Sequence, residues 1–246
     1  IGLMEMQLLG TTSILDMGTV RWTHQLFETA LRSGMRYFGG KCLMDIKGSS
    51  GPLYEDRKSA MKETEALIKS WHKKTDLIEY AIAPRFAVSC SDELMKDCAK
   101  LQKKYKVLIH THASESLEEV ALIKVRSGML NVDFLDKMGL INARAVIAHG
   151  VHLSDGELHK MVKKKAGLTH CPSSNLKLAS GVAPLEKYRE AGLKMGIGSD
   201  GAPCNNTMDP FLEMRLAALL QKPIFGPKAF EAQAAFELGT VGGAEV

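Results

Sequence analysis

Short apolar runs alternate along the chain with longer segments of helical periodicity. The apolar runs predict strands near residues 11, 35, 77, 106, 145, 167 and 193. The intervening segments predict helices over about 21–33, 56–74, 91–105, 117–127, 132–138, 154–164, 184–191, 209–221 and 229–238. Strands that are separated by helices of this length form parallel βαβ units.

This regular alternation favours a TIM-type (β/α)8 barrel over an open sheet, because right-handed βα units repeated seven or eight times close on themselves. A complete barrel needs eight strands. Residues 1–10 predict the tail of a helix, so we expect the first strand to precede Ile1. The expected fold class is therefore α/β, an incomplete TIM-type barrel, with residues 1–246 as a fragment that forms a single domain.

Composition and charge place the chain among ordinary globular proteins. Hydrophobic residues make up 45% and charged residues 24% of the 246 residues. The net charge of +4 is too small to indicate nucleic acid as a partner, and no run of about 18 apolar residues indicates a membrane helix. The five cysteines show no CxxC spacing, which favours a reducing compartment, and we expect a cytoplasmic protein.

Candidate chemistry lies at the carboxyl ends of the predicted strands, where such barrels carry their active sites. His112, His149 and Asp200 follow three different strands, and only closure of the barrel brings them together. Imidazole and carboxylate are ligands for a divalent metal such as Zn²⁺. Glu115 lies one turn beyond His112, within reach of a metal-bound water or a substrate.

Four motifs at these strand ends resemble the amidohydrolase superfamily, in the order in which that superfamily carries them. They are HTHASES (110–116), AHGVHLSDGEL (148–158), HCPSSNLKLASG (170–181) and GIGSDGAPCNNTMDPFLEMRLAALLQK (196–222). The resemblance covers nearly the whole chain. It indicates the aminohydrolase branch, which includes methylthioadenosine/S-adenosylhomocysteine deaminase, the triazine hydrolases and guanine deaminase.

The resemblance implies a role for each polar residue at the strand ends. His112 and Asp200 correspond to metal ligands, and Asp200 also steadies the attacking hydroxide. Glu115 corresponds to the proton shuttle, and His149 orients the attacking water and stabilises developing charge. All four roles serve the hydrolysis of a ring carbon that carries an amine.

Further residues correspond to positions near the substrate. Ser174 and Asn175 belong to the HCPSSN motif. Arg85 and Phe86, in the segment APRFAVSCS (83–91), are similar to the pair that holds the base in guanine deaminase. The SDGAPCNN segment is instead more similar to the enzymes that act on adenosine derivatives and triazines, so the substrate stays open.

The chain departs from the family pattern in two respects. The HxH pair that ends the family's first strand and the small accessory β-sandwich are both absent, so we expect a chain truncated at both ends. His110 and His112 share the HxH spelling, but on a later strand, and only His112 is assigned as a ligand. Two direct ligands are fewer than the three or more of a catalytic zinc site, so this fragment is expected to bind its metal weakly or not at all.

The resulting expectation is a metal-dependent deaminase that releases ammonia from an amino-substituted N-heterocycle, with zinc as the first choice of metal and iron as the second. Activity specifically on guanine is one alternative, and a barrel that only binds or scaffolds is another. The expected partner is a small-molecule heterocycle, with neither nucleic acid nor membrane, and family relatives suggest a homodimer. On this hypothesis the fragment itself can be inactive.

Two other enzyme classes are rejected on the residues themselves. The spelling GIGSDG (196–201) matches a dinucleotide-binding loop, but Asp200 would place a carboxylate beside the phosphates. The zinc deaminases with a PCxxC signature need a second cysteine, whereas Cys204 is followed by two asparagines and no such residue.

Overall fold

The computed structural model describes residues 1–246 and contains eight β-strands. Their bounds are β1 Ser13–Asp16, β2 Arg36–Gly39, β3 Cys42–Leu43, β4 Ile78–Pro84, β5 Leu108–Ala113, β6 Ala145–His149, β7 Gly167–His170 and β8 Lys194–Ile197. Every pairing described between named strands is parallel. The α/β class with parallel strands is therefore confirmed.

Helices separate most of the strands. Their bounds are α1 Gly2–Leu8, α2 Thr23–Ser33, α3 Lys47–Ser50, α4 Arg57–Trp71, α5 Asp92–Tyr105, α6 Leu117–Ser127, α7 Asn131–Lys137, α8 Asp155–Lys164, α9 Pro172–Lys177, α10 Leu185–Glu190, α11 Ala202–Asn205, α12 Pro210–Phe225, α13 Ala232–Gly239 and α14 Val241–Glu245. A short 3-10 helix covers Gly51–Leu53. No helix is both long enough and apolar enough to cross a bilayer.

The chain divides into two compact units. The first comprises Ile1–Thr111 and Phe134–Leu140, and the second comprises His112–Asp133 and Ile141–Val246. Strand β5 therefore begins in the first unit and ends in the second.

In the first unit the strand order is β1-β2-β4-β5, with β3 beside β4. An aromatic cluster fills its core, where Phe27 stacks on Trp71 and on Tyr80 with ring centroids 5.2 and 5.7 Å apart. The single strand predicted around residue 35 is divided into β2 and β3. Gly40 lies at the break, and only glycine fits there because a Cβ would lie 2.0 Å from the carbonyl oxygen of Ala81.

In the second unit the strand order is β6-β7-β8. All five residues of β6 are buried, as expected for a parallel strand that is covered on both faces. A capping box begins α8, since Ser154 and Glu157 each accept the other's backbone N–H. The buried strand β6 and the capped helix α8 hold the segment between them, which follows His149, in place.

Candidate active site

The candidate site lies at the carboxyl ends of β5, β6 and β8 in the second unit. Gly150 N–H donates to the carbonyl of Ala113 at 3.1 Å, and His152 N–H donates to that of Ser114 at 2.9 Å. These bonds hold the segments after β5 and β6 beside each other. Side chains that follow the two strands can therefore meet.

Three of the predicted residues are in direct contact. The rings of His112 and His149 stack with centroids 5.2 Å apart and an interplanar angle of 27°. Glu115 Oε2 lies 3.7 Å from His149 Nε2. The Glu115 side chain remains 25% exposed whereas His149 is buried, so this carboxylate is accessible to a small molecule.

Asn175 fixes the tautomer of His149. Its Oδ1 lies 2.9 Å from His149 Nδ1. An amide oxygen can only accept a hydrogen bond, so Nδ1 carries the proton. In the neutral ring, Nε2 then presents its lone pair towards Glu115.

Asp200 is held by α9, the short helix that also carries Asn175. Ser174 Oγ donates to Asp200 Oδ2 at 2.5 Å, and Gly201 N–H donates to Oδ1 at 2.6 Å. Because Ser174 and Asn175 are neighbours on α9, this helix orients both Asp200 and His149. The contact of Ser174 and Asn175 with a substrate stays a prediction.

The network around Glu115 includes two residues that sequence reasoning missed. Ser180 Oγ donates to Glu115 Oε1 at 3.3 Å, and the backbone N–H of Glu115 donates to Glu119 Oε2 at 2.8 Å. Burial raises the pKa of Glu119 to about 7, and hydrogen bonds from the Glu115 backbone and Asn131 partly oppose this rise. Glu119 lay in the first turn of a predicted helix, where an acid is ordinary, so no signal set it apart.

His170, at the end of β7, was given no role from the sequence. It is 1% exposed, and neither ring nitrogen has a hydrogen-bond partner. Burial and, to a smaller extent, the nearby His149 lower the pKa of His170 to about 3. The ring is therefore neutral at physiological pH.

Two cysteine thiols adjoin the acids of the site. Burial raises the pKa of Cys171 well above its usual value and also raises that of Cys204. The negative charges of Asp200 and Glu115 add to both shifts, so both acids lie within electrostatic range of these thiols. Neither cysteine is an activated nucleophile.

Arg85 and Phe86 lie in the first unit, immediately after β4. The guanidinium group of Arg85 lies over the Phe86 ring, 5.4 Å from its centroid, and Nη1 lies 3.5 Å from Met44 Sδ. The two side chains thus form a cation–π pair. Their predicted contact with a substrate stays a prediction.

Comparison with known proteins identifies the family. The model of the amidohydrolase family matches residues 1–246. The chain belongs to the amidohydrolase family. The family prediction is thereby confirmed.

A curated relative of this amidohydrolase is named as a deaminase. The 5-methylthioadenosine/S-adenosylhomocysteine deaminase of Bacillus cereus is 37% identical over 249 residues, which cover all of this chain and 56% of that protein. The chain thus spans little more than half the length of this relative.

Solved structures confirm the prediction of an incomplete TIM-type barrel. A guanine deaminase from C. acetobutylicum with bound guanine superposes with a TM-score of 0.93 at 28% identity, covering 99% of this chain and 60% of that one. An adenosine deaminase from Xanthomonas campestris with bound zinc gives a TM-score of 0.93 at 28% identity, with 99% and 54% covered.

The donor set for a metal is incomplete in this amidohydrolase chain. His112 and Asp200 have the right chemistry for zinc. However, no group of three or more His, Cys, Asp or Glu side chains is arranged to hold a metal ion. Two ligands are fewer than a catalytic zinc site uses, so the residues present do not form a complete site.

Proposed function

We propose that the protein is a hydrolytic deaminase that removes the exocyclic amine of an N-heterocycle as ammonia. The observation that carries the proposal is the contact between Glu115 and His149, 3.7 Å apart, with the far nitrogen of His149 fixed by Asn175. A carboxylate that faces an imidazole of defined tautomer is suited to moving a proton. The deaminase names of the relatives support this choice of reaction.

In the proposed reaction, water adds to the ring carbon that bears the amine. His149 Nε2 accepts a hydrogen bond from that water and orients it. Glu115 takes a proton from the water and passes it to the adjacent ring nitrogen, which completes a tetrahedral intermediate. The remaining hydroxyl proton then moves to the amine, the C–N bond breaks, ammonia leaves, and the ring carbon keeps the water oxygen as a carbonyl.

We further propose a divalent metal dependence, with zinc as the first choice and iron as the second. The support is the chemistry of His112 and Asp200 and the zinc bound in the Xanthomonas structure. The ligand set within these residues is incomplete, and the proposed roles of Glu115, His149 and Asn175 require no metal-bound step.

The proposed substrate is an aminopurine, an adenosine derivative or an aminotriazine. Guanine is a second candidate, which the similarity to a guanine deaminase with bound guanine supports.

The test is ammonia release by the purified protein from 5′-methylthioadenosine, S-adenosylhomocysteine, adenosine, guanine and an aminotriazine. Glu115→Gln is expected to lower kcat by about 10² to 10⁴-fold on the substrate that is turned over. Glu118→Gln, an exposed acid on the next turn, is the matched control. An unchanged rate for Glu115→Gln would remove its proton-transfer role, and no ammonia from any compound would favour a scaffold.

A further inference from the structure

Glu119 is a buried acid in the first turn of α6. It is 6% exposed, whereas its neighbour Glu118 in the same turn is exposed. Acids at this position of a helix ordinarily lie in solvent, where they complement the helix dipole. A carboxylate that is turned inward needs buried donors to offset its lost hydration.

Two donors meet this carboxylate, one on each oxygen. The backbone N–H of Glu115 donates to Oε2 at 2.8 Å, and Asn131 Nδ2 donates to Oε1 at 2.5 Å. Asn131 is itself fully buried, at the start of α7. Glu119 therefore joins the loop that carries Glu115 to a second buried side chain.

The loop needs such an anchor because its backbone is unusual. Ser114 precedes Glu115 and has φ of 54°, in the left-handed region that serine seldom adopts. A hydrogen bond from the very next N–H keeps the chain in this conformation. The direction in which the Glu115 carboxylate leaves the loop depends on it.

The anchor extends to the loop after β6. The backbone N–H of Val132, next to Asn131, donates to Glu157 Oε1 at 2.8 Å. Glu157 Oε2 in turn accepts from Ser154 in the capping box of α8. Two buried glutamates thus connect the start of α7 to the segments that follow Glu115 and His149.

We propose that Glu119 and Asn131 are positioning residues for Glu115. They hold its backbone so that the carboxylate stays directed at His149 Nε2, 3.7 Å away. The expected effect on kcat rests on the proposed function, whereas the effect on the Glu115 backbone does not. Both residues are buried, so we expect them to act through Glu115 and not directly on a substrate.

The first test is amide hydrogen exchange at Glu115, which needs no activity. Glu119→Ala is expected to speed exchange of the Glu115 amide by at least about tenfold, because a buried hydrogen bond protects an amide. Glu118→Ala is the control and should leave that rate within about twofold. Equal rates in wild type and Glu119→Ala would overturn the inference.

The second test exchanges the donor at position 131 and the acceptor at position 119. Asn131→Asp places a second carboxylate against Glu119 and is expected to lower kcat about 10 to 100-fold at pH 8, with KM changed less than about twofold. Adding Glu119→Gln restores the pair, since the new amide donates to the introduced carboxylate and the amide oxygen accepts from Glu115. The double variant should recover to within about threefold of wild type.

A double variant no more active than Asn131→Asp would overturn the positioning role, as would an Asn131→Asp variant with the wild-type kcat. A protein that releases no ammonia from any compound would contradict the proposed function instead. The exchange rate at Glu115 decides the inference in that case, so the two failures are distinguishable.

Discussion

Left-handed backbone conformations occur at or shortly after the carboxyl ends of β5, β6 and β8. Ser114, His149 and Asp200 have φ of 54°, 73° and 60°, and none of them is glycine. Each such residue costs about 1–3 kcal/mol and persists only where its surroundings over-determine it. The bonds from His149 to Asn175 and from Asp200 to Ser174 are therefore the contacts that hold the candidate site in this form.

Replacing Asn175 tests whether the tautomer of His149 matters. Asn175→Ala leaves His149 Nδ1 without its acceptor, so the ring can turn or take its other tautomer. We expect kcat to fall about 10 to 100-fold. Asn175→Asp keeps an acceptor at this position and should retain most of the activity. Steady-state ammonia release by both variants checks this, and equal losses would show that the acceptor has no special role.

His170 is expected to make the protein sensitive to acid. The unfolded chain binds a proton at this ring below about pH 6.5, whereas the folded chain does so only near pH 3, so stability is lost as the pH falls between these values. Between pH 7 and pH 4.5, wild type should lose about 3 kcal/mol more unfolding free energy than His170→Gln. Urea unfolding at both pH values measures this, with the exposed His159→Gln as control. Equal losses in wild type and His170→Gln would contradict the expectation.

At the scale of elements, every helix of ten residues or more was predicted, whereas several of the shorter ones were not. The predicted helix over 117–127 agrees with α6, because its apolar period and its serine cap are local signals. Helices α9 and α11 have six and four residues, too few to show a period, and they were missed. Tertiary contacts hold them in place instead, among them hydrogen bonds to Glu213 of α12.

Glu213 joins α9, α11 and α12. It is buried and accepts from Ser173 N–H at 3.0 Å, Ser173 Oγ at 2.5 Å and Asn205 Nδ2 at 2.9 Å. Glu213→Ala leaves these donors without an acceptor and should cost about 3 kcal/mol of unfolding free energy. Urea denaturation measures the loss. Glu190→Ala, at an exposed acid, should change stability by less than about 0.5 kcal/mol, and a similar value for Glu213→Ala would contradict its bridging role.

At the scale of the whole molecule, the topology made part of the site predictable. Parallel strands place their carboxyl ends at one edge, so His112, Glu115 and His149 could be grouped from sequence alone. The groups that orient them could not, because a bond such as that from Asn131 to Glu119 depends on side-chain directions that no local pattern encodes. Packing determines which polar groups become buried and what they contact. For the same reason, the burial of His170 was not predictable from the sequence.

Metal affinity is the property that the incomplete donor set governs most directly. A cation that binds only the folded protein stabilises it by mass action, by about 2.7 kcal/mol at 100 times its dissociation constant. Excess zinc should therefore raise the unfolding temperature, and dialysis against a chelator should reverse the rise readily, because the two proposed ligands, His112 and Asp200, are fewer than a catalytic zinc site uses. His112→Ala and Asp200→Asn should each abolish the rise, whereas His159→Ala on the surface of α8 should retain it. A rise that survives in both site variants would place the zinc elsewhere and remove these two residues from the ligand set.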